Sequence, residues 1–480
     1  MTDVRRCLSV LLALAVLTGV LVLAAPPAGA ARGQPAVEVT VMADGLSIPW
    51  DIGFTPDGVM VYTERPGRIG VRFPDGTRRT LSADLSDLLV AGESGLMGMV
   101  VDPRFERNRR IYTCQAHTGP EVQVIAWRIN PAYTSARRVI DPVVDDIPLV
   151  TGRHGGCRLR FFRGALMIAT GDAAQGTNPQ DLRSLGGKVL RVHRHKGIGL
   201  PDNPFATSAN PDTRRVYSYG HRNLQGLAVR PARGEVWSVE HGPSRDDEIN
   251  RIRAAGNYGW NPVPGYNESR PMTDLGRFPD AVPAVWSSGF PTLATSGGIF
   301  VQGPEWGIWN GALAVASLKD RSLRMFRLHR DGRVVGVDVV PEVTGRYGRL
   351  RTPMMGPDGA LYVTTSNGSN DRILRLRPTG SPFGRVDQAV GRQGVIDVAG
   401  WAIDPNTRGP ITVHVYLDGE AVRALRADGR RPDVGAAHPG FGSRHGYQTR
   451  LRTTPGSHQV CVYGINVGGG ANRLIGCRRT

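Results

Sequence analysis

One short unit recurs six times between residues 36 and 378: an apolar stretch, a turn rich in Pro, Asp or Gly, then a β-rich stretch. Phe54-Thr55-Pro56-Asp57-Gly58 leads into Val59-Met60-Val61-Tyr62, and Val101-Asp102-Pro103 into Ile111-Tyr112. Leu159 to Phe162 leads into Leu166-Met167-Ile168, and Leu227-Ala228-Val229 into Glu235-Val236-Trp237. Ile299-Phe300 reaches Ala312 to Val315 after a longer insertion, and Gly356-Pro357-Asp358-Gly359 opens Leu361-Tyr362-Val363. Successive copies are spaced from the upper forties to the low seventies, which leaves roughly 57 residues per copy, enough for four short strands with loops. That pattern predicts an all-β chain whose main body is a six-bladed β-propeller. An irregular β-sandwich would not repeat one turn six times, and helical periodicity is scarce; only Asp181 to Val192 reads as a short helical turn or a hairpin. No G-x-G-x-x-G follows a strand and opens a helix, so nothing reads as a dinucleotide-binding unit.

The texture changes after Arg377. Residues 379–384 read as a linker, and residues 385–480 as a small C-terminal β-sandwich with strands at 395–402, 411–416 and 458–463. Residues 1–30 read as a cleaved signal peptide rather than an uncleaved anchor: Arg5-Arg6, an apolar run to Ala25, then Ala28-Gly29-Ala30. No later segment is apolar enough to span a membrane, so the mature protein is expected to be secreted. Four cysteines remain after residue 30, at 114, 157, 461 and 477. Three pairings are possible, and the spacing favours Cys114–Cys157 and Cys461–Cys477, each within one domain.

Charge needs care. The chain has 59 Lys+Arg against 42 Asp+Glu, a formal +17, yet only Lys188, Lys196 and Lys319 are lysines. The arginines are scattered, with no basic run of five or more, and the signal peptide implies export. Both points argue against nucleic acid as a partner. A background of that kind suits solubility and a contact with anionic cell-envelope polymers, which the C-terminal domain would make.

Three segments join polar residues to glycines: Gly152-Arg153-His154-Gly155-Gly156-Cys157, Gly220-His221-Arg222-Asn223-Leu224-Gln225-Gly226, and Glu240-His241-Gly242-Pro243-Ser244-Arg245-Asp246-Asp247-Glu248. Taken singly, each reads as an ordinary surface loop. A propeller, however, gathers such loops around one axis.

With Gly92-Glu93-Ser94-Gly95-Leu96-Met97-Gly98, Gly171-Asp172, Gly186-Gly187-Lys188, Gly256-Asn257-Tyr258-Gly259-Trp260, Ser317-Leu318-Lys319 and Arg349-Leu350-Arg351, these segments fall in a specific order. In that order the chain from about 40 to 378 resembles the soluble quinoprotein glucose/aldose sugar dehydrogenases. Those are six-bladed propellers that use pyrroloquinoline quinone (PQQ) and calcium. The resemblance implies oxidation of an aldose at its anomeric carbon, with electrons passed to an external acceptor. It makes His154 the general base and Arg222 the cation at the quinone oxygen. Glu93, Asn223, Lys319, Arg349 and Arg351 become cofactor contacts. Gly242 and Pro243 become carbonyl ligands of the catalytic calcium, and Glu248 and Tyr258 ligands of a structural one.

The chain departs from the family at Glu93, where some members carry glutamine, at Cys157 in place of glycine, and at Thr352-Pro353 where an Asp is usual. These departures keep a second reading in view, a non-catalytic propeller that binds carbohydrate or protein.

Overall fold

A computed structural model describes residues 35–231, 233–467 and 472–480. The expected signal peptide, residues 1–30, lies outside the described residues. Among these the chain forms eight four-stranded antiparallel sheets, six in a ring and two stacked as the C-terminal sandwich. The strand next to the axis opens each blade: Pro49–Phe54 in blade 1, Leu96–Val101 in blade 2, Gly156–Phe162 in blade 3, Leu224–Arg230 in blade 4, Thr295–Phe300 in blade 5 and Leu350–Met355 in blade 6. Every one of the six repeated turns connects an axial strand to the second strand of its blade. The longer insertion in blade 5 contains a 3-10 segment, Pro304–Trp309.

The second strands are buried on both faces because each is clasped between neighbouring blades. Ala165–Thr170 and Leu313–Ser317 are buried at every position, which explains their continuous apolar sequence. Six hydrophobic clusters lie one at each junction between adjacent blades, and a seventh fills the sandwich. At the junction of blades 2 and 3, Tyr112 and Val124 pack with Leu159 and Ile168. The Cys114–Cys157 disulfide bridges that same junction, and Cys461–Cys477 joins two paired strands of the sandwich.

Two further contacts hold the ring. Blade 6 takes its outermost strand from the start of the propeller: Ala36–Leu46 pairs antiparallel with Asp371–Thr379, Ala36 opposite Thr379. Near the axis, Arg158 of blade 3 reaches Asp51 of blade 1 at 2.7 Å, both fully buried. Its Nε donates to the Gln225 carbonyl of blade 4 at 3.0 Å, and its guanidinium lies 4.2 Å from the Trp50 ring centroid. Asp51 in turn accepts from the Met99 N–H of blade 2 at 3.0 Å. One ion pair thus ties four blades together. Burial pulls Arg158 down to about 10, against the attraction of Asp51, and it stays charged at neutral pH.

Residues 181–187 are irregular with a turn at 182–183, followed by the strand Lys188–Val192, so no helix forms there. Lys188 is fully buried and donates to the carbonyls of Asn178 (2.6 Å), Pro179 (3.2 Å) and Gly186 (2.6 Å). It clamps the loop that follows Asp172. In the C-terminal domain Phe383–Arg392, Val395–Ile403 and Arg444–Arg452 share one sheet, while Thr412–Leu417 and Gln459–Gly464 are central in the other. The alternating burial of Val395–Ile403 matches a strand with one face on a core.

Replacing Asp51 by Ala would leave the Arg158 guanidinium buried without its carboxylate, an expected cost of about 3–5 kcal/mol. In a calorimetric melt of the full chain the propeller transition should fall while the sandwich transition stays in place.

Candidate active site

The loops that enter the axial strands cluster at one end of the ring, and His154 stands at their centre. It precedes the blade 3 axial strand with a positive φ of 52°. Its carbonyl is packed against Gly171, where a Cβ would come within 1.8 Å of the His154 oxygen; only glycine fits. The ring is buried, and Nδ1 lies 2.8 Å from Asp172 Oδ1. That contact assigns the proton to Nδ1 and leaves Nε2 as the basic nitrogen. Nε2 has no hydrogen-bond partner among the described residues.

Asp172 is fully buried and each of its oxygens is engaged twice. Oδ1 faces His154 and accepts from the Ala174 N–H at 2.8 Å; Oδ2 accepts from Trp260 Nε1 and the Tyr266 hydroxyl, each at 2.8 Å. The imidazole is therefore held by a carboxylate that is itself fixed. Burial, with the Asp172 charge adding to it, pushes the Tyr266 phenol well above its ordinary range, so it stays protonated.

Arg222 lies beside this pair. Its backbone carbonyl accepts from the Asp172 N–H at 2.7 Å, Nη1 donates to the His241 carbonyl at 2.8 Å, and Nη2 meets Glu268 Oε1 at 2.6 Å. Its buried Nε has no hydrogen-bond partner among the described residues. Partial burial works to raise Glu268, but Arg222 and then Arg153 outweigh it and hold the carboxyl below the usual range. Asn223 is buried next to Arg222 and accepts from Gln225 Nε2 at 3.1 Å.

The remaining cations form a rim. Arg351 is half-buried and donates to Ser366 Oγ (3.1 Å) and Gln225 Oε1 (3.2 Å), with Trp50 between it and Arg158. Burial, with repulsion from Arg158 and Arg349, pulls it down to about 9. Arg349 is exposed. Lys319 lies on the blade 5 loop, exposed, with Nζ 3.4 Å from Thr292 Oγ1 and its N–H donating to the Leu293 carbonyl at 3.0 Å. Glu93 accepts from the His154 N–H at 3.2 Å and acts electrostatically on Arg65 and Arg351. Its carboxylate thus braces the base-bearing loop. Thr352, where the family usually has an Asp, is buried and donates to the Trp50 carbonyl at 2.7 Å.

The Gly242-Pro243 loop curls tightly. A Cβ on Gly242 would meet the carbonyl oxygens of Arg245 at 2.2 Å and Asp246 at 2.7 Å, so the loop is closed around backbone oxygens. Asp247 fixes it by accepting from Gly242 N at 2.9 Å and Leu293 N at 2.6 Å. No group of three or more acidic, His or Cys side chains able to hold a metal occurs among the described residues. A cation here would rest on carbonyl oxygens and on its ligand, which suits a hard ion. Deeper, Glu248 and Glu240 are buried opposite each other in register. Burial and the Glu240 charge push Glu248 up to about 8, so a cation beside it would relieve two like charges. Tyr258 stacks on His221 with ring centroids 4.5 Å apart.

His154, Arg222, Asn223 and Arg351 are thus drawn together by folding, and Lys319 is linked through Thr292 and Leu293 to the Gly242 loop. Asp172 and Trp260 stood in recognised motifs without a role. Tyr266, Glu268, Arg65 and Trp50 had no signal; they come from irregular or unrelated segments that only the ring closure brings to this end.

Comparison with known proteins places this geometry. The model of the Glucose / Sorbosone dehydrogenase family matches residues 46–375. Aldose sugar dehydrogenase YliI of Escherichia coli (strain K12) is 32% identical over 363 residues, covering 71% of this chain and 93% of that protein. An oxidoreductase (glucose dehydrogenase) from Thermus thermophilus superposes with a TM-score of 0.61 at 36% identity, covering 71% of this chain and all of that one. The PQQ-bound form of aldose sugar dehydrogenase from Streptomyces coelicolor superposes with a TM-score of 0.60 at 26% identity, covering 72% and 99%. With its propeller, its buried His–Asp pair and its ring of arginines, this chain belongs to the glucose/sorbosone dehydrogenase family.

Proposed function

We propose that this protein is an exported aldose dehydrogenase that oxidises the anomeric carbon to a lactone with PQQ and calcium. The observation that carries this reading is the buried His154–Asp172 pair, with Nε2 left without a hydrogen-bond partner among the described residues and Arg222 bonded through its carbonyl to the Asp172 N–H. Bound there, calcium-held PQQ would supply the hydride acceptor, later reoxidised by an external acceptor. The residues present fit it. PQQ carries three carboxylates, and Arg349, Arg351 and Lys319 offer guanidinium and ammonium donors at the rim. Arg222 retains an unpartnered Nε, and the Gly242 loop gathers backbone oxygens.

His154 Nε2 takes the proton of the anomeric hydroxyl as the C1 hydride leaves; the C1–O bond becomes a carbonyl and the imidazole becomes an imidazolium. Asp172 orients the ring and balances that charge. Arg222 stabilises negative charge developing on the acceptor oxygen, and Asn223 lines the same wall. The Gly242 and Pro243 carbonyls would hold the catalytic calcium, and Glu248 with the Tyr258 carbonyl a structural one. Glu93 keeps the His154 loop in place at the expense of some repulsion toward an anionic cofactor. Export is supported by two disulfides. No helix among the described residues is long and apolar enough to cross a membrane.

Purified full chain titrated with PQQ in excess calcium should show saturable binding by absorbance, and aldose-dependent dye reduction. Absence of binding at micromolar PQQ would overturn the enzyme reading and leave a binding propeller. His154→Ala should cut kcat by about 10²–10⁴-fold while leaving PQQ affinity near wild type. Arg351→Ala should do the reverse, weakening PQQ about tenfold or more in the same titration. Chelation of calcium should abolish activity and lower the melting temperature, with recovery on re-addition.

A further inference from the structure

A second cationic recess lies at the other end of the propeller. A cavity of about 910 Å³ is lined by the exit ends of three axial strands, through Arg230, Phe300 and Met355, and by the C-terminal domain loop Pro405 to Arg408. The axial strands enter at the His154 end and are six or seven residues long. The two sites are therefore separated by roughly 20 Å of strand.

Four arginines from three separate segments line this space: Arg230 and Arg233 at the blade 4 turn, Arg377 on the third strand of blade 6, and Arg408 on the C-terminal loop. Arg233, Arg377 and Arg408 are exposed, and no ion pair or side-chain hydrogen bond engages them among the described residues. Arg230 lies over the Phe300 ring, 5.8 Å from its centroid, and 3.5 Å from Glu235, which Arg251 holds more closely at 3.0 Å. The one acid in the lining, Asp358, is committed to Arg375 at 2.5 Å and to the Tyr362 hydroxyl at 3.2 Å. The recess thus carries net positive charge, with Arg233, Arg377 and Arg408 unpaired among the described residues. Four prolines, Pro231, Pro357, Pro378 and Pro405, line it between the cations.

We propose that this recess binds a linear acidic saccharide, with uronate carboxylates on the arginines and pyranose faces on the prolines. Charges spread over separate segments match a ligand whose negative charges repeat along a stiff chain, not a single small anion. Guanidinium groups pair bidentately with carboxylates, and the proline rings suit sugar C–H faces. Such a site would moor the enzyme to an anionic polymer through both of its domains, leaving the His154 end open.

The test is calorimetric titration of the full chain at low ionic strength with trigalacturonate. Saturable 1:1 binding is expected, with little or none for neutral maltotriose. Arg377→Ser/Arg408→Ser should weaken it about tenfold or more. Arg450→Ser, which removes an exposed tail arginine paired with Asp397 outside the recess, should not change it. PQQ affinity and thermal midpoint should be unaltered in all three forms, which separates this proposal from the enzyme reading. The proposal is overturned if trimer at about 1 mM gives no binding. It is overturned equally if Arg450→Ser weakens binding as much as the double variant, or if inorganic phosphate competes at the same concentration as the trimer.

Discussion

The propeller depends on closing a ring. Each hydrophobic cluster of the propeller is shared by two adjacent blades, so no blade owns a core. A gap at any junction would expose two apolar faces at once. Closure is secured at the rim by backbone pairing of Ala36–Leu46 with Asp371–Thr379, and at the hub by the Arg158–Asp51 pair. The rim contact is a ladder of main-chain hydrogen bonds and hardly depends on which side chains flank it. The hub contact is a single charge pair in a dry setting, where Coulomb attraction is large and so is the penalty for losing one partner.

The hub also feeds the active-site end. Trp50 is packed between Arg158 and Arg351, and Gln225 receives one arginine on its main chain and the other on its side chain. The depth and direction of Arg351 are thus set by the residues that lock the axis. In the same way, Lys188 fixes the loop after Asp172 by occupying three carbonyls, and Asp172 fixes His154. Rigidity passes from core to site by short polar links, not by the loops themselves.

The blades were legible in the sequence because their turns are local chemistry. Turns rich in Pro, Asp or Gly between apolar runs mark the axial hairpin in all six blades. The motif-bearing residues His154, Arg222 and Asn223 were legible for a different reason, their order along a known pattern. What stayed hidden was long-range. Asp51 and Arg158 lie on strands of different blades, far apart in the chain, with nothing local to pair them. Tyr266 and Glu268 lie on an irregular segment with no periodicity, and their reach to His154 and Arg222 follows only from the ring. Arginine taught the same lesson. Along the chain it looks evenly sprinkled, yet folding concentrates it at both ends of the axis, at Arg349 and Arg351 above and Arg377 and Arg408 below.

The strand swap in blade 6 has a consequence in time. Ala36 must find Thr379, so the first strand of the propeller cannot take its final place until nearly the whole ring has been threaded out. Contacts of such sequence separation form late and slowly. Until then the apolar faces at the junction of blades 6 and 1, including Ile52, Tyr62 and Tyr362, have no cover. A polypeptide built this way stays sticky for the full duration of its emergence. It favours a setting in which the last blade follows the first without delay.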